Sequence, residues 1–600
     1  MSNLQPPPVN QGRVIFLALL VCLGFLVVLA GYYRVQIIEG GRYERLGEKY
    51  RIKKTRYKAP RGLIYDRDKR LITQNMPTYN LVLLRDEMKS SWKWFRPRVA
   101  QFLGISEERL ERRYTKRSRL FSEPVLLREN IGYRESLRIM RHQRRFPGLA
   151  VETAGNRHYT HGSLFAHVLG FVGEASREQL RKNPDLHLGD IVGKSGIERK
   201  YNEVLTGVDG ERTIEIDSRG VYRSNRLTTP ATPGGDLYLT LDYDLQNLAV
   251  EALDGRSGSI VMMDVRTGDI LVYLSSPAYD LNLFTTGISA EDWSHLRNAP
   301  TRPFLNRPMR GTYAPGSVFK LITALAALQD GVITPESRYF CSGKVNFYNR
   351  EFRCHREEGH GLVDLRGAIQ TSCNVYFFSL GLDLDIHTLA RTAKQFGFGR
   401  TTGLDLVGEK PGLVPTPEWK KKTQNQIWYP GDTLNLTIGQ GDLLSTPIQV
   451  VQLMAALANE GQLVTPRFLL SRTDQGKETR FPVKTQPIQG IPRHHYQLLK
   501  EAMWRVVNDP SGTGNSAKVD GFDVCGKTGT AQLITFTREE DHEIDAYKNA
   551  WFAGFAPRDE ARVAIMVLVE RAGAGGANAA PIARILLEAY MRSLKGVDPT

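Results

Sequence analysis

Cysteine is scarce in this chain. Five cysteines in 600 residues do not make a disulfide scaffold. Apolar residues make up 41% of the sequence, too few for a polytopic membrane protein, and a single run is long enough to cross a bilayer. Charged residues stand at an ordinary 24%, which excludes global disorder. There is no zinc finger, no RNA-recognition signature and no Gly-Lys-rich tail, so nothing supports nucleic-acid binding. No internal repeat is visible. The length suggests two to four domains.

Positive charge is what the chain has in excess, and the excess is local. The net charge is +16, yet residues 34–157 alone hold 31 Lys and Arg against 14 Asp and Glu. Residues 158–600 are near balance, with 48 basic and 50 acidic side chains. Two readings stand for the early segment. One is a solvated, arginine-rich surface. The other is attraction to anionic lipid headgroups or an acidic partner.

Val14 to Tyr33 is a run of twenty residues without a charge, bounded by Arg13 and Arg34. That length matches the hydrocarbon core at helical rise. Val28-Leu29-Ala30 would serve as a signal cleavage site, but the apolar run exceeds the usual 7–15 residues of a signal peptide. We read it as an uncleaved anchor, with Tyr32 and Tyr33 at the interface. Counting Lys and Arg on the flanks (Arg13 against Arg34, Arg42, Arg45 and Lys49) does not set its orientation.

A proline-rich tail, Gln5 to Pro8, precedes the anchor and reads as disordered. Residues 34–58 read as helical, then extended. Residues 61–67 read as a turn feeding a strand, and residues 98–147 carry apolar residues at helical spacing. The turn-rich stretch Pro230–Gly235 marks a boundary. Beyond it, Gly258–Asp264 and Asp269–Leu274 around Arg266-Thr267-Gly268 form a β-hairpin. Helices follow at Ser317–Gln329, Asp364–Leu380 and Pro447–Asn459. Strands return at Asp523–Leu533, Ala550–Phe555 and Val563–Glu570, before a last helix at Ile582–Leu594. Strands at both ends with helices between make an α/β domain of mixed order.

Three short motifs in this domain carry chemistry. Ser317-Val318-Phe319-Lys320 opens a helical run, and residues i and i+3 share a helix face. A serine needs a nearby base to become a nucleophile, and a desolvated lysine can serve. The helix start also offers free backbone N–H groups. A surface helix start would show the same residues. Ser372-Cys373-Asn374 follows 55 residues after Ser317 and is equally weak alone. Lys527-Thr528-Gly529-Thr530 is rarer by chance. On a strand it offers one charge and two hydroxyls for a carboxylate. Gly521 to Thr528 also satisfies the Walker A pattern, which requires a helix after the loop. The residues after Thr528 read as extended, so a nucleotide site is not expected.

Three cysteines fall within 33 residues: Cys341, Cys354 and Cys373. With His360 they form a C-x12-C-x5-H-x12-C array, a Cys3His set suited to one structural zinc. The intervening stretch is polar and has little apolar content to fold it unaided. His355 is a substitute ligand. A Cys341–Cys354 disulfide is the competing reading, and a Cys373–Cys525 pairing is a further one.

Ser-x-x-Lys, Ser-x-Asn and Lys-Thr-Gly in this order resemble the penicillin-recognising acyl-serine transferases. The anchor and the long upstream region resemble the class B penicillin-binding proteins. Three upstream segments match that class: Arg61 to Arg67; Arg157-His158-Tyr159 through Ala166-His167 and Gly170; and Gly193 to Glu198 through Tyr201, Leu205 and Gly207. Trp428 to Thr433 and Ile438-Gly439-Gln440-Gly441 resemble the elongation type of that class. Trp551 to Pro557 resembles the family's next sheet strand.

The resemblance implies a cytoplasmic tail at 1–13, a membrane helix at 14–33, an elongated pedestal at 34–230 with a basic head near 70–150, and a transpeptidase domain at 231–600 built on a central antiparallel sheet. It implies peptidoglycan D,D-transpeptidation during elongation, with covalent inhibition by β-lactams. The alternatives are a septal transpeptidase, or a penicillin sensor or scaffold with a vestigial site. Ser317 would be the nucleophile and Lys320 the base, with Lys527 nearby. Ser372 would relay a proton and Asn374 would hold the substrate backbone. Thr528 and Thr530 would bind the terminal carboxylate beside Gly529, and the N–H groups of Ser317 and Thr530 would form the oxyanion hole. Some elongation-type relatives bind zinc in the Cys341–Cys373 region. No organic cofactor is implied. The implied partners are stem peptides, a polytopic glycan polymerase of the SEDS family, and a coiled-coil rod-shape protein. Because the substrate lies outside the cytoplasm, the implied location is the bacterial inner membrane, with the catalytic domain periplasmic. Large domains translocate largely regardless of flanking charge.

Overall fold

The computed structural model describes residues 11–44, 52–85, 88, 90–116, 124–187, 189–216, 222–285, 287–347, 350–532 and 548–595. The proline-rich tail at residues 5–8 and the last residue of the expected Asp523–Leu533 strand lie outside them. The apolar run is helical over Gln11–Tyr33 and continues to Ile38. None of its side chains is buried by protein. A helix that is apolar all round and uncovered is consistent with a single membrane-spanning anchor.

The chain forms two compact units, described separately. The first comprises residues 1–60, 79–152 and 207–233. It holds an antiparallel sheet of Ile52–Tyr57, Gly210–Ile216 and Tyr222–Thr229. It also holds a small core around Phe95, Val99, Leu110, Leu127 and Phe146. Here residues 98–147 depart from the continuous helical reading. Helices Glu107–Lys116 and Tyr133–His142 flank a strand, Val125–Ile131, which pairs with Thr73–Leu83. Val125 and Leu127 alternate inward as a strand requires. That two-residue period is short enough to hide between two helical patterns.

The second unit comprises residues 61–78, 153–206 and 234–600. Early and late sequence join in one sheet: Ile64–Tyr65 pairs parallel with Asp236–Leu239, which pairs antiparallel with Leu469–Asp474. The three upstream segments singled out in the sequence meet at one buried ion cluster. Glu198 is fully buried; its Oε2 accepts from Arg61 Nε at 2.7 Å and its Oε1 from Arg157 Nε at 2.6 Å. Arg61 also donates to Asn202 Oδ1 at 3.1 Å, and Arg157 to the Gly62 carbonyl at 2.7 Å. Burial pushes the Glu198 carboxyl up, and the two guanidiniums outweigh it and hold the group below its usual range. Glu198→Gln would leave two buried cations short of a counter-charge. Chemical denaturation is expected to show a loss of about 3–5 kcal/mol; a loss under about 1 kcal/mol would mean the cluster is not a keystone.

The central sheet has five antiparallel strands: β1 (Gly258–Asp264), β2 (Ile270–Ser276), β3 (Cys525–Gln532), β4 (Lys548–Ala556) and β5 (Val563–Val569), in spatial order β2-β1-β5-β4-β3. The expected hairpin is β1–β2. Strands β1, β4 and β5 are buried along nearly their whole length, as their continuous apolar runs dictate. The helix Pro447–Ala458, buried at every residue, packs against β1, β4 and β5. Strand β3 is outermost, and among the described residues no further strand of the sheet pairs with its outer edge.

Candidate active site

Ser317 lies in a 3₁₀ turn, Gly316–Phe319, that leads into helix α1 (Lys320–Gln329). Side chains three apart eclipse in a 3₁₀ turn, so Ser317 and Lys320 stack on one side. Gly316 has φ +56, a left-handed value that glycine adopts without strain. The turn is pressed against β3. A Cβ added to Gly529 would meet the Pro315 carbonyl at 3.1 Å, and one added to Gly316 would meet the Thr530 carbonyl at 3.0 Å. Gly529 is therefore a close-approach residue. It lets the backbone around Ser317 and Thr530 converge at the free edge of the sheet.

The expected helix Asp364–Leu380 is two helices, α2 (Leu365–Gln370) and α3 (Asn374–Leu380). The break falls at Ser372, whose φ is +57. A non-glycine residue in this region is strained and marks a place where surrounding structure dictates the backbone. The break turns the Ser372 carbonyl and hydroxyl, and the Asn374 amide, toward Lys320. Lys320 Nζ donates to Ser372 O at 2.7 Å and Asn374 Oδ1 at 2.7 Å, with Ser372 Oγ at 3.4 Å. From β3, Lys527 Nζ donates to Ser372 Oγ at 2.8 Å and to the Thr528 carbonyl at 3.0 Å. Ser372 Oγ thus sits between two amino groups, each on a fully buried lysine.

Two buried amines sharing one hydroxyl cannot both stay charged cheaply. Burial pushes Lys320 down to about 8, against the opposing pull of Cys373, Cys354 and Cys341. Burial, and then the Lys320 charge, push Lys527 well below its ordinary value. A neutral amine has two N–H bonds and one lone pair. The two 2.7 Å acceptors around Lys320 use both bonds and leave the lone pair free.

Thr528 has a partner that no motif indicated. Its hydroxyl lies 2.6 Å from that of Thr513. The same loop is tied to α2 by Gln370 donating to Ser511 Oγ at 2.6 Å. Ser511-Gly512-Thr513-Gly514 reads only as a loop, and fifteen residues separate Thr513 from Thr528. Lys527 lies inside a strand rather than before a helix, which removes the Walker A reading.

The four expected metal ligands converge beside this site. The Sγ atoms of Cys341, Cys354 and Cys373 and a His360 ring nitrogen all lie within 4.8 Å of one another. His360 Nδ1 is 3.6 Å from both Cys341 and Cys354 Sγ. All five cysteines are free thiols, so neither disulfide reading is realised. His355 lies at the edge, its Nδ1 3.9 Å from Cys354 Sγ. The cluster touches the candidate site directly: the Asn374 N–H donates to Cys354 Sγ at 3.3 Å, and Cys373 Sγ accepts from the Tyr376 N–H at 3.5 Å, capping α3.

Residues 258–588 match the penicillin binding protein transpeptidase domain, and residues 56–239 match the penicillin-binding protein dimerisation domain. The peptidoglycan D,D-transpeptidase MrdA of Acinetobacter baumannii is 33% identical, over 98% of this chain and 89% of its own length. Penicillin-binding protein 2 of Helicobacter pylori, solved in complex with MreC, superposes with a TM-score of 0.79 at 30% identity, covering 90% of this chain and all of that one. A structure on coordination of polymerization and crosslinking by a peptidoglycan synthase complex superposes at 0.71 with 27% identity, over 97% of this chain and 98% of that one. The expected fold, an antiparallel transpeptidase sheet behind a long upstream region, is the one observed. The chain belongs to the penicillin-binding protein family, and within it to the class B transpeptidases of the elongation type.

Proposed function

We propose that the chain crosslinks peptidoglycan stem peptides by serine acyl transfer during cell elongation, and that β-lactams trap the same serine. The observation that carries this is Ser372 Oγ held by Lys527 at 2.8 Å while Lys320 grips the same residue, one turn from Ser317. Ser317 Oγ attacks the D-Ala-D-Ala carbonyl, and its proton passes to the neutral Lys320 amine. The N–H groups of Ser317 and Thr530 receive the oxyanion, each worth about 3 kcal/mol. As the peptide bond breaks, the proton moves from Lys320 through Ser372 Oγ to the departing D-Ala amine. An ester to Ser317 remains. The amine of a second stem peptide attacks that ester, gives up a proton by the reverse path and frees Ser317. Asn374 holds the donor backbone, and Thr528, set by Thr513, binds the terminal carboxylate with Thr530. The free edge of β3 gives an extended peptide a backbone to align with.

The Cys3His cluster fits one zinc. Three thiols and one imidazole nitrogen is a donor set for closed tetrahedral zinc, and the spacings near 3.6 Å suit ligands on one ion. Cys341, Cys354, His360 and Cys373 would hold it, and the ion would supply cross-linking of a polar stretch with no chemical step of its own. Residues 34–230 serve as the pedestal and 231–600 as the catalytic domain. Residues 14–33 anchor the chain with residues 1–13 in the cytoplasm, since the substrate is outside it. The MreC bound to the Helicobacter pylori relative and the synthase complex of the other support a rod-shape protein and a polymerase as partners.

The lysine assignment has a pH signature. With Lys320 near 8, the neutral base is the minor form at pH 6.5 and the major form above pH 8. The rate of Ser317 acylation by penicillin, followed by intact mass with the labelled peptide mapped, is expected to rise with pH and level off above about 8, approaching tenfold per unit on the acid side. A flat profile from pH 6 to 9 would remove Lys320 as the base.

A further inference from the structure

The turn carrying Ser317 is reached through residues 311–316, and three contacts hold that approach. Tyr313 exchanges backbone hydrogen bonds with Ser445, its N–H donating at 2.9 Å and its carbonyl accepting at 2.8 Å. The Gly316 N–H donates to the Gly439 carbonyl at 3.0 Å. The third contact is made by side chains. Tyr313 Oη donates to Glu570 Oε1 at 2.7 Å, and Arg307 grips both oxygens of that carboxylate, Nε to Oε1 at 3.0 Å and Nη2 to Oε2 at 3.1 Å.

Arg307 is 2% exposed and is itself fixed, with Nη2 donating to the Thr301 carbonyl at 2.7 Å and its N–H to Ser275 Oγ at 3.0 Å. Glu570 directly follows β5, so the carboxylate is rooted in the central sheet. The Tyr313 ring stands edge-on to Trp551, centroids 6.1 Å apart, and Trp551 pairs across the sheet with Gly529. One continuous set of contacts therefore runs from the end of β5 to the two backbones that flank Ser317. A bidentate, buried arginine makes the carboxylate a fixed acceptor rather than a mobile one, and only a fixed acceptor can set the height of the tyrosine.

We propose that Tyr313, Glu570 and Arg307 form a positioning network that sets the Ser317 turn against β3 for acyl transfer. It rests on Ser317 being the nucleophile. The effect of the three is on where Ser317 Oγ stands relative to the oxyanion donors, a distance to which acylation is steep and encounter binding is not.

The test uses the full chain in detergent, wild type and Tyr313→Phe, acylated by a fluorescent penicillin over a concentration series. The series separates the encounter dissociation constant from the acylation rate constant. The rate constant is expected to fall about tenfold, with the dissociation constant within about twofold and the melting midpoint within about 2 °C of wild type. An unchanged rate constant overturns the proposal. So does a loss carried by weaker encounter binding or by a lower melting midpoint. Glu570→Gln supplies the second arm. Combined with Tyr313→Phe it is expected to slow acylation no further than the slower single variant, because both act on the one link by which the Glu570–Arg307 pair holds Tyr313. Multiplicative losses overturn the network. Peptide mapping of the wild-type adduct keeps the two readings apart: label away from Ser317 refutes the nucleophile, whereas label at Ser317 with Tyr313→Phe at wild-type speed refutes the network alone.

Discussion

Ser317→Ala abolishes covalent labelling by a fluorescent penicillin and leaves the fold intact. The expected loss is on the order of 10⁶-fold, the scale at which removal of a serine nucleophile is felt when its base and oxyanion donors remain. The fold is spared because Ser317 is only half-buried, and the turn is held by its neighbours through Gly316 and Gly439. Loss of one hydroxyl there creates no cavity of note. Lys320→Met should act differently. It removes a buried amine with two 2.7 Å acceptors, leaves the Ser372 carbonyl and Asn374 amide without their donor, and lowers both acylation and stability. The two variants therefore separate nucleophile from base by thermal melting as well as by labelling. A Ser317→Ala protein that still forms an adduct, with the labelled peptide mapped elsewhere, would overturn the assignment of the nucleophile. Full cell-wall crosslinking in cells that carry this variant and lack the wild type would favour the scaffold reading over the enzyme.

Much of the central sheet was legible because β1, β4 and β5 are buried along nearly their whole length and are rich in apolar residues. Val563–Val569 and Lys548–Ala556 lie where the sequence put them. The site was legible as residue types in order: Lys320, Ser372, Asn374 and Lys527 are joined by hydrogen bonds, and Ser317 lies in the turn that leads into the helix of Lys320. What local pattern could not show was long-range or conformational. The left-handed backbone at Ser372 breaks a helix whose apolar spacing runs on without interruption. Strand Ile64–Tyr65 joins Asp236–Leu239 across more than 170 residues. Tyr313 and Glu570 are 257 residues apart, so neither looked more than ordinary. Chemistry is read from side-chain identity, which is local. Positioning is read from packing, which is not.

Loss of one cysteine from the metal cluster should weaken both the fold and the catalytic site. Protein purified without a histidine tag is expected to carry about one zinc per chain by elemental analysis, and Cys354→Ser or His360→Ala is expected to lose it. Much of the cluster's surroundings has little else to hold it. Strands Tyr339–Cys341 and Gly361–Val363 are three residues long, and the hairpin Lys344–Phe347 with Arg350–Arg353 exposes most of its side chains. Apolar burial is too small there to offset the ordering entropy, so a closed zinc site would supply the difference. Binding free energy at such a site is folding free energy. Each kcal/mol lost lowers the melting midpoint by about 1 °C for a unit of this size. The effect reaches catalysis by two short bonds. Cys354 Sγ holds the Asn374 N–H at 3.3 Å, and Cys373 caps α3 at the residue after Ser372. Asn374 is one of the two acceptors that orient Lys320. Acylation should therefore slow in a Cys354→Ser protein at temperatures well below its melting midpoint. Added zinc should restore neither rate nor stability, whereas chelator-stripped wild type should recover both. A wild-type protein that is metal-free and two thiols short of its cysteine count would replace the zinc with a disulfide. A metal-free protein with all its thiols and an unchanged midpoint in Cys354→Ser would leave the cluster with no structural role at all.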